Sequence, residues 1–244
     1  MLILAGLGIS DEKGITLEEL EEARNSDYVF IELYTSIWLG SVENLEKIIG
    51  KKVEVLKRKD LEEELDRILT LATDKKVMIF VAGDPLVATT HSSIILECIN
   101  KGIEFKVMHN SSVFTAICET GLHIYKFGQA VTIPLNDKIR GTADSVVNAI
   151  RENRRRGLHT LCLLDIDVEN NKFLSVKEAV KFLIEKNLIG SDEKIIVASR
   201  LGMKNSKVAW KEARDILSEE FDLPAVIVIP GSLHFSEREM LEKL

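Results

Sequence analysis

Residues 77–82 form an unbroken apolar run that stops at Gly83-Asp84-Pro85. Such a run, too short for a membrane span and closed by glycine and proline, suits a strand buried on both faces of a parallel sheet. Further strands are read at 1–5, 28–33, 52–57 (with Val53 and Val55 alternating), near 104–109, and at the apolar runs 130–134, 160–164, 195–198 and 225–229. Between them the period lengthens to that of helices. Thr16 with Glu19 makes a capping box, and Ile15 against Leu20 a hydrophobic staple. Asp60 is expected to cap a helix whose Leu61, Leu65, Ile68, Leu69 and Ala72 share one face. Helices are also expected over 93–100 (closed by Gly102), from Ser112 toward Gly121, over 142–156 (closed by Gly157), over 175–186 with a Ser175/Glu178 box, and over 208–217.

Five strands precede the stretch between His109 and Gly128, and about four follow it. The expected architecture is therefore α/β: two α/β domains, 1–110 and 111–244, with a ligand cleft between them. No internal repeat or low-complexity linker separates the halves.

The stretch after the apolar run carries the most chemistry. Gly83 can take backbone conformations closed to other residues and admit a ligand close to the chain. Pro85 denies the sheet a donor, so the strand must end there. Thr89, Thr90, Ser92 and Ser93 place hydroxyls where the next helix begins, as caps do. Strand, rigid loop and polar helix start together mark the carboxyl end of a sheet strand, where open α/β folds bind ligands. A Gly-Asp-Pro alone is an ordinary turn. Gly6-Leu7-Gly8 also ends a strand, but Asp11 stands where a dinucleotide fingerprint needs its third glycine. Ser111 and Ser112 are equally suited to capping a helix and to framing N–H groups that bind a carboxylate.

Composition narrows the function classes. Among 244 residues, 45% are hydrophobic and 29% charged, and the net charge is -7. A general nucleic-acid binder would carry a basic field, so no nucleic-acid partner is expected. Lys57-Arg58-Lys59 and Arg154-Arg155-Arg156 read as exposed surface at helix ends or loops. No run is long enough to span a membrane, and the N-terminal apolar stretch is too short for a signal-peptide core, so a cytoplasmic protein is expected. Cys98, Cys118 and Cys162 are odd in number and set among apolar residues, which fits reduced core thiols. The five histidines lack metal-ligand spacing, and no metal site is expected.

Read as a unit, Gly83-Asp84-Pro85-Leu86-Val87-Ala88-Thr89-Thr90-His91 resembles the signature of the diphthine synthase branch of the tetrapyrrole methylase-like S-adenosylmethionine-dependent methyltransferases. Glu32-Leu33-Tyr34-Thr35-Ser36, His109 with Ser112-Val113, the run 121–128, Gly157-Leu158-His159-Thr160, Ala198-Ser199-Arg200-Leu201-Gly202 and Pro230-Gly231-Ser232-Leu233-His234-Phe235 extend the resemblance over nearly the whole chain. It implies a tetrapyrrole methylase-like fold with the cofactor in the cleft. It also implies S-adenosyl-L-methionine contacts at Ile9, Asp84, Val87, Ser112, Val113, Leu164, Leu201 and Ala225, and a homodimer. The implied reaction is N-methylation of the 3-amino-3-carboxypropyl-modified histidine of elongation factor 2 in diphthamide biosynthesis. Attack of a neutral amine on a sulfonium methyl requires alignment above all. An α-amino group titrates near 7.7–8.0, so no dedicated base is required and no catalytic residue is assigned. His91 is the obvious base if one exists, although a helix-start hydrogen bond suits it better. The alternatives are a tetrapyrrole methyltransferase, whose polyacid substrate sits poorly with an acidic chain, and a cofactor-sensing protein without transfer activity.

Overall fold

Strands β1 (Leu2–Gly6), β2 (Tyr28–Glu32), β3 (Glu54–Leu56), β4 (Val77–Val81) and β5 (Phe105–Met108) form one sheet in the order β3-β2-β4-β1-β5. Every pairing in it is parallel. This computed structural model describes residues 1–135 and 139–244, with 139–142 by backbone alone. Two compact units make up the chain, Met1–Phe114 and Thr115–Leu244.

In the first unit, β1 and β4 are buried at every position. The reason is the period of two: Leu2, Leu4, Val77, Ile79 and Val81 enter one core, while Ile3, Ala5, Met78 and Phe80 enter another on the opposite face. Both faces are dry, which is why the sequence is apolar throughout these strands. Each large side chain so buried contributes about 1.5–3 kcal/mol. Helix α1 (Leu17–Asn25) starts at the expected Thr16/Glu19 capping box. Helix α2 (Val42–Ile49) follows Ser41, whose side chain accepts from the Asn44 N–H.

Two expectations in this unit need correction. The single helix from Asp60 is two, α3 (Arg58–Glu62) and α4 (Asp66–Asp74), and Asp60 lies inside the first turn of α3, accepting the Lys57 N–H at 2.7 Å. Val53 is buried but Val55 is half exposed, because β3 is an edge strand that begins only at Glu54. Helix α5 (Ser92–Lys101) ends at Gly102 in the left-handed conformation, as expected. Helix α6 (Val113–Ala116) is one turn, extended by 3-10 helix to Gly121.

The second unit contains β6 (Val131–Ile133), α7 (Ile139–Arg155), β7 (Thr160–Leu164), the hairpin β8 (Ile166–Asp167) and β9 (Lys172–Phe173), and α8 (Val176–Glu185). It continues with β10 (Lys194–Ser199), β11 (Lys207–Glu212), α9 (Ala213–Ile216), β12 (Ala225–Ile229) and α10 (Phe235–Leu241). Its main sheet runs β11-β10-β12-β7-β6, with only β6 and β7 parallel. The expected helix over 208–217 is strand β11 in its first half and helix α9 in its second. Lys207 to Glu212 pair in full register with β10, and Ala209 is buried in the core. Ladder pairing overrides the helix preference of Ala, Lys and Glu there, and Val208 and Trp210 suit a strand. Cys98 and Cys162 are buried thiols, whereas Cys118 is exposed, contrary to the expected three core thiols.

Candidate functional site

Strands β1, β4 and β5 are parallel, so the loops that follow them leave the same end of the first sheet. After β4 the chain turns at Gly83, whose φ of +76° lies in the left-handed region. Gly83 and Gly8 exchange both backbone hydrogen bonds, at 2.9 and 3.1 Å. Gly6 explains how the loops approach so closely. A Cβ there would stand 2.4 Å from the Gly83 carbonyl oxygen and 2.6 Å from Asn110 Cβ. Lacking one, position 6 lets the carboxyl ends of β4 and β5 meet over β1, which lies between them.

Asp84 makes that meeting specific. It is only 5% exposed. Its Oδ1 accepts the Leu86 N–H at 3.0 Å, and its Oδ2 accepts the Asn110 N–H at 3.2 Å and His109 Nδ1 at 2.8 Å. The Asn110 amide lies within 3.1 Å of the Gly6 and Gly14 carbonyls and of Glu19. Burial pushes the Glu19 carboxyl above its usual range. The His109 ring, by contrast, is 67% exposed.

The other expected residues can now be placed. Ile9 follows β1 and donates its N–H to Ser111 Oγ at 3.3 Å. Val87 is half-buried in the loop after β4. Ser112 is buried, and Val113 opens α6. Together with Asp84 these five gather at one end of the first sheet. In the second unit, Leu164 ends β7, Leu201 follows β10, and Ala225 starts the antiparallel β12. The register Ser199↔Ala225 and Leu163↔Val226 puts the three at the same end of neighbouring strands. Ala88 and Arg200, each beside an expected contact, are non-glycine residues at positive φ (57° and 52°). Backbone strain of this kind collects at ligand sites.

His91 is not placed to act as a base. It occupies the N-cap position of α5, is 1% exposed, and keeps Nδ1 at 3.2 Å from the Pro85 carbonyl. The hydroxyls expected to cap α5 do otherwise: Thr89 donates to the Pro85 carbonyl and Ser93 to that of Thr90. Glu32, at the end of β2, is wholly buried and accepts the Tyr34 and Thr35 N–H groups.

The second unit holds a polar centre that sequence reasoning missed. Glu237 is wholly buried in α10. It accepts the His123 N–H at 2.8 Å, the His234 N–H at 2.7 Å, His159 Nε2 at 3.1 Å and the Lys126 ammonium. Burial works to raise this carboxyl, but Lys126, the two backbone N–H groups and the His159 ring hold it down at about 2. Burial also pushes the His159 imidazole below its usual range, against the pull of Glu237. Since Gly231 donates its N–H to His159 Nδ1 at 2.8 Å, the ring is neutral with its proton on Nε2. The only sequence signal was His234 three residues before Glu237, a capping box opened by histidine instead of serine or threonine. Among the described residues, no group of three or more His, Cys, Asp or Glu is disposed to hold a metal ion.

The family model of the tetrapyrrole (corrin/porphyrin) methylases matches residues 1–216. The chain belongs to this family. Within the tetrapyrrole methylases it sits in the diphthine synthase branch. Diphthine synthase of Methanocaldococcus jannaschii is 39% identical over 100% of this chain and 98% of its own length. That of Methanococcus aeolicus is 36% identical over the same shares. A crystal structure of diphthine synthase matches with a TM-score of 0.91 at 36% identity, covering 100% of this chain and 95% of its own. A putative diphthine synthase from Entamoeba histolytica gives a TM-score of 0.88 at 34% identity, with 100% and 97% covered.

Proposed function

We propose that this tetrapyrrole methylase family member is an S-adenosylmethionine-dependent N-methyltransferase with diphthine synthase activity. Its substrate is the amino group of the 3-amino-3-carboxypropyl histidine of elongation factor 2. The observation that carries the reading is full-length identity of 39% to a diphthine synthase, joined to the rigid Gly83–His91 loop at a sheet end. The same reading makes the protein a cytoplasmic homodimer.

The residues present suit the methyl donor. Around Gly83 the nearest heavy atom to where a Cβ would stand is the Ser111 carbonyl oxygen, 4.0 Å away, so the loop backbone is open to close approach. In the first unit Ile9, Val87 and Val113 offer apolar side chains and backbone groups in the loops at one sheet end, which suits a flat heterocycle, and in the second unit Leu164, Leu201 and Ala225 do the same at one end of its own sheet. Asp84 has both oxygens occupied by protein donors, and its part is to fix the loops that hold the ligand. When bound, S-adenosylmethionine supplies a methyl group already activated by a sulfonium. The protein's contribution is alignment of the amine, worth a large share of the barrier when two reactants are held in near-attack geometry.

Mass spectrometry of the aminocarboxypropylated factor after incubation with enzyme and S-adenosylmethionine tests the reading. A gain of one or more methyl groups on the modified histidine is expected. An unmodified factor together with methylation of a precorrin would assign the chain to tetrapyrrole chemistry instead.

A further inference from the structure

The geometry points to His109 as the proton acceptor of the transfer reaction, held for that task by Asp84; the inference rests on the amine substrate proposed above. Four observations carry it. The Asp84 carboxylate is buried, and every group within hydrogen-bond distance of it donates: the N–H groups of Leu86 and Asn110, and His109 Nδ1 at 2.8 Å. A carboxylate so placed fixes the neutral imidazole with its proton on Nδ1 and its lone pair on Nε2. That Nε2 has no hydrogen-bond partner among the described residues, and the ring is 67% exposed. Finally, His109 lies at the same sheet end as Val87, Ser112 and Val113, where the methyl donor is proposed to bind.

The other four histidines are engaged elsewhere. His91 and His159 are buried, and His123 and His234 are tied to Tyr125 and Ser236. His109 is the ring that combines a fixed tautomer with an outward lone pair. Asp84 is the titratable group that the described contacts bring against it.

The balance of the step is simple. The substrate enters mostly as an ammonium ion below its pKa of about 8. His109 Nε2 takes one proton, the freed nitrogen lone pair forms the bond to the methyl carbon, and the carbon–sulfur bond breaks with its electrons left on sulfur. Each transfer thus releases one proton, which the exposed imidazolium passes to solvent. The alkylated amine still bears N–H, so the same acceptor serves any second transfer. Asp84 is a positioning residue in this scheme.

The test is a pH profile of kcat/KM for wild type and His109→Gln, with the aminocarboxypropylated factor as substrate. Near pH 7 the variant is expected to lose about 100-fold, the lower range of general-base contributions. By about pH 9.5, where the amine is already neutral, the loss should shrink to a fewfold. S-adenosylmethionine affinity by calorimetry and the thermal midpoint should stay at wild-type values. A loss equal at all pH values, or a loss of cofactor affinity, overturns the proposal. A second readout needs no turnover: ring nitrogen NMR of the wild type should show His109 as the Nδ1–H tautomer, and Asp84→Asn should abolish that preference. An Nε2–H tautomer in the wild type also overturns it. Failure of the wild type to methylate the factor would instead remove the substrate assignment, leaving the tautomer result to judge the imidazole.

Discussion

Asp84–His109 in the first unit and Glu237–His159 in the second are both carboxylate–imidazole pairs of hydrogen-bond length, 2.8 and 3.1 Å. Both carboxylates are buried. The imidazoles differ: His159 is wholly enclosed and His109 is two-thirds exposed. They also differ in tautomer. Gly231 occupies Nδ1 of His159 and forces its proton toward Glu237, so both nitrogens are spent on the fold. His109 spends one nitrogen on Asp84 and keeps the other. The same two chemical groups therefore serve as a structural knot in one place and as a presented base in the other, and the second hydrogen bond to the ring decides which.

The largest expected effect comes from breaking the knot. Glu237→Ala removes the shared acceptor of a buried histidine, two backbone N–H groups and a partly exposed lysine, and should cost about 3–5 kcal/mol in a denaturant titration. A loss under 1 kcal/mol would mean that water replaces the carboxylate freely. Acid should act on the same centre. The Glu237 pKa falls on folding from 4.5 to about 2, so its stabilisation is present above 4.5 and is lost as pH falls toward 2. The His159 pKa is lowered from 6.5, so its contribution begins to fade below 6.5 in the same direction. Thermal midpoints measured from pH 7 down to 2.5 should fall in wild type, and fall less in Glu237→Gln.

The next effect separates the pair in the first unit. Gly6→Ala places a Cβ against the Gly83 carbonyl and Asn110, both fixed by backbone hydrogen bonds or by three acceptors. Overpacking of this kind costs about 1–3 kcal/mol. It should also part Asp84 from His109, which the ring nitrogen NMR signal of His109 would register. Unchanged stability and an unchanged spectrum would show that the loops yield without moving the pair. His109→Gln should have the smallest effect on stability, within about 0.5 kcal/mol, because the ring is at the surface. A drop comparable to that of Glu237→Ala would erase the contrast between the two pairs.

How much of this was legible in residues alone follows from distance. Strands β1 and β4 were plain because a sheet centre covered on both faces demands apolar residues without a break. The capping boxes at Thr16 and Ser175 were plain because they span four residues. Strand β11 was not: Ala209, Ala213 and Ile216 fit a helical face, and only pairing with β10 settles the matter. The hairpin β8–β9 gives two residues per strand, too few for any period. The Asp84 loop was marked by its neighbours, yet its partner His109 is 25 residues away and on the far side of β1. Gly6 read as half of a weak Gly-x-Gly. Its purpose appears only when two other loops are seen to cross it.

The place of β1 in the first sheet also sets a timetable for synthesis. Its partners are β4 and β5, and its first pairing joins Leu2 to Val77. The ribosome must therefore add 75 residues between the two halves of that pairing. At about 5–20 residues per second this leaves the strand waiting roughly 4–15 s. During that interval Leu2, Ile3, Leu4 and Ala5 have two open edges and no sheet to join. A nascent chain in this condition is a natural client for a chaperone that shields short apolar segments near the ribosomal exit.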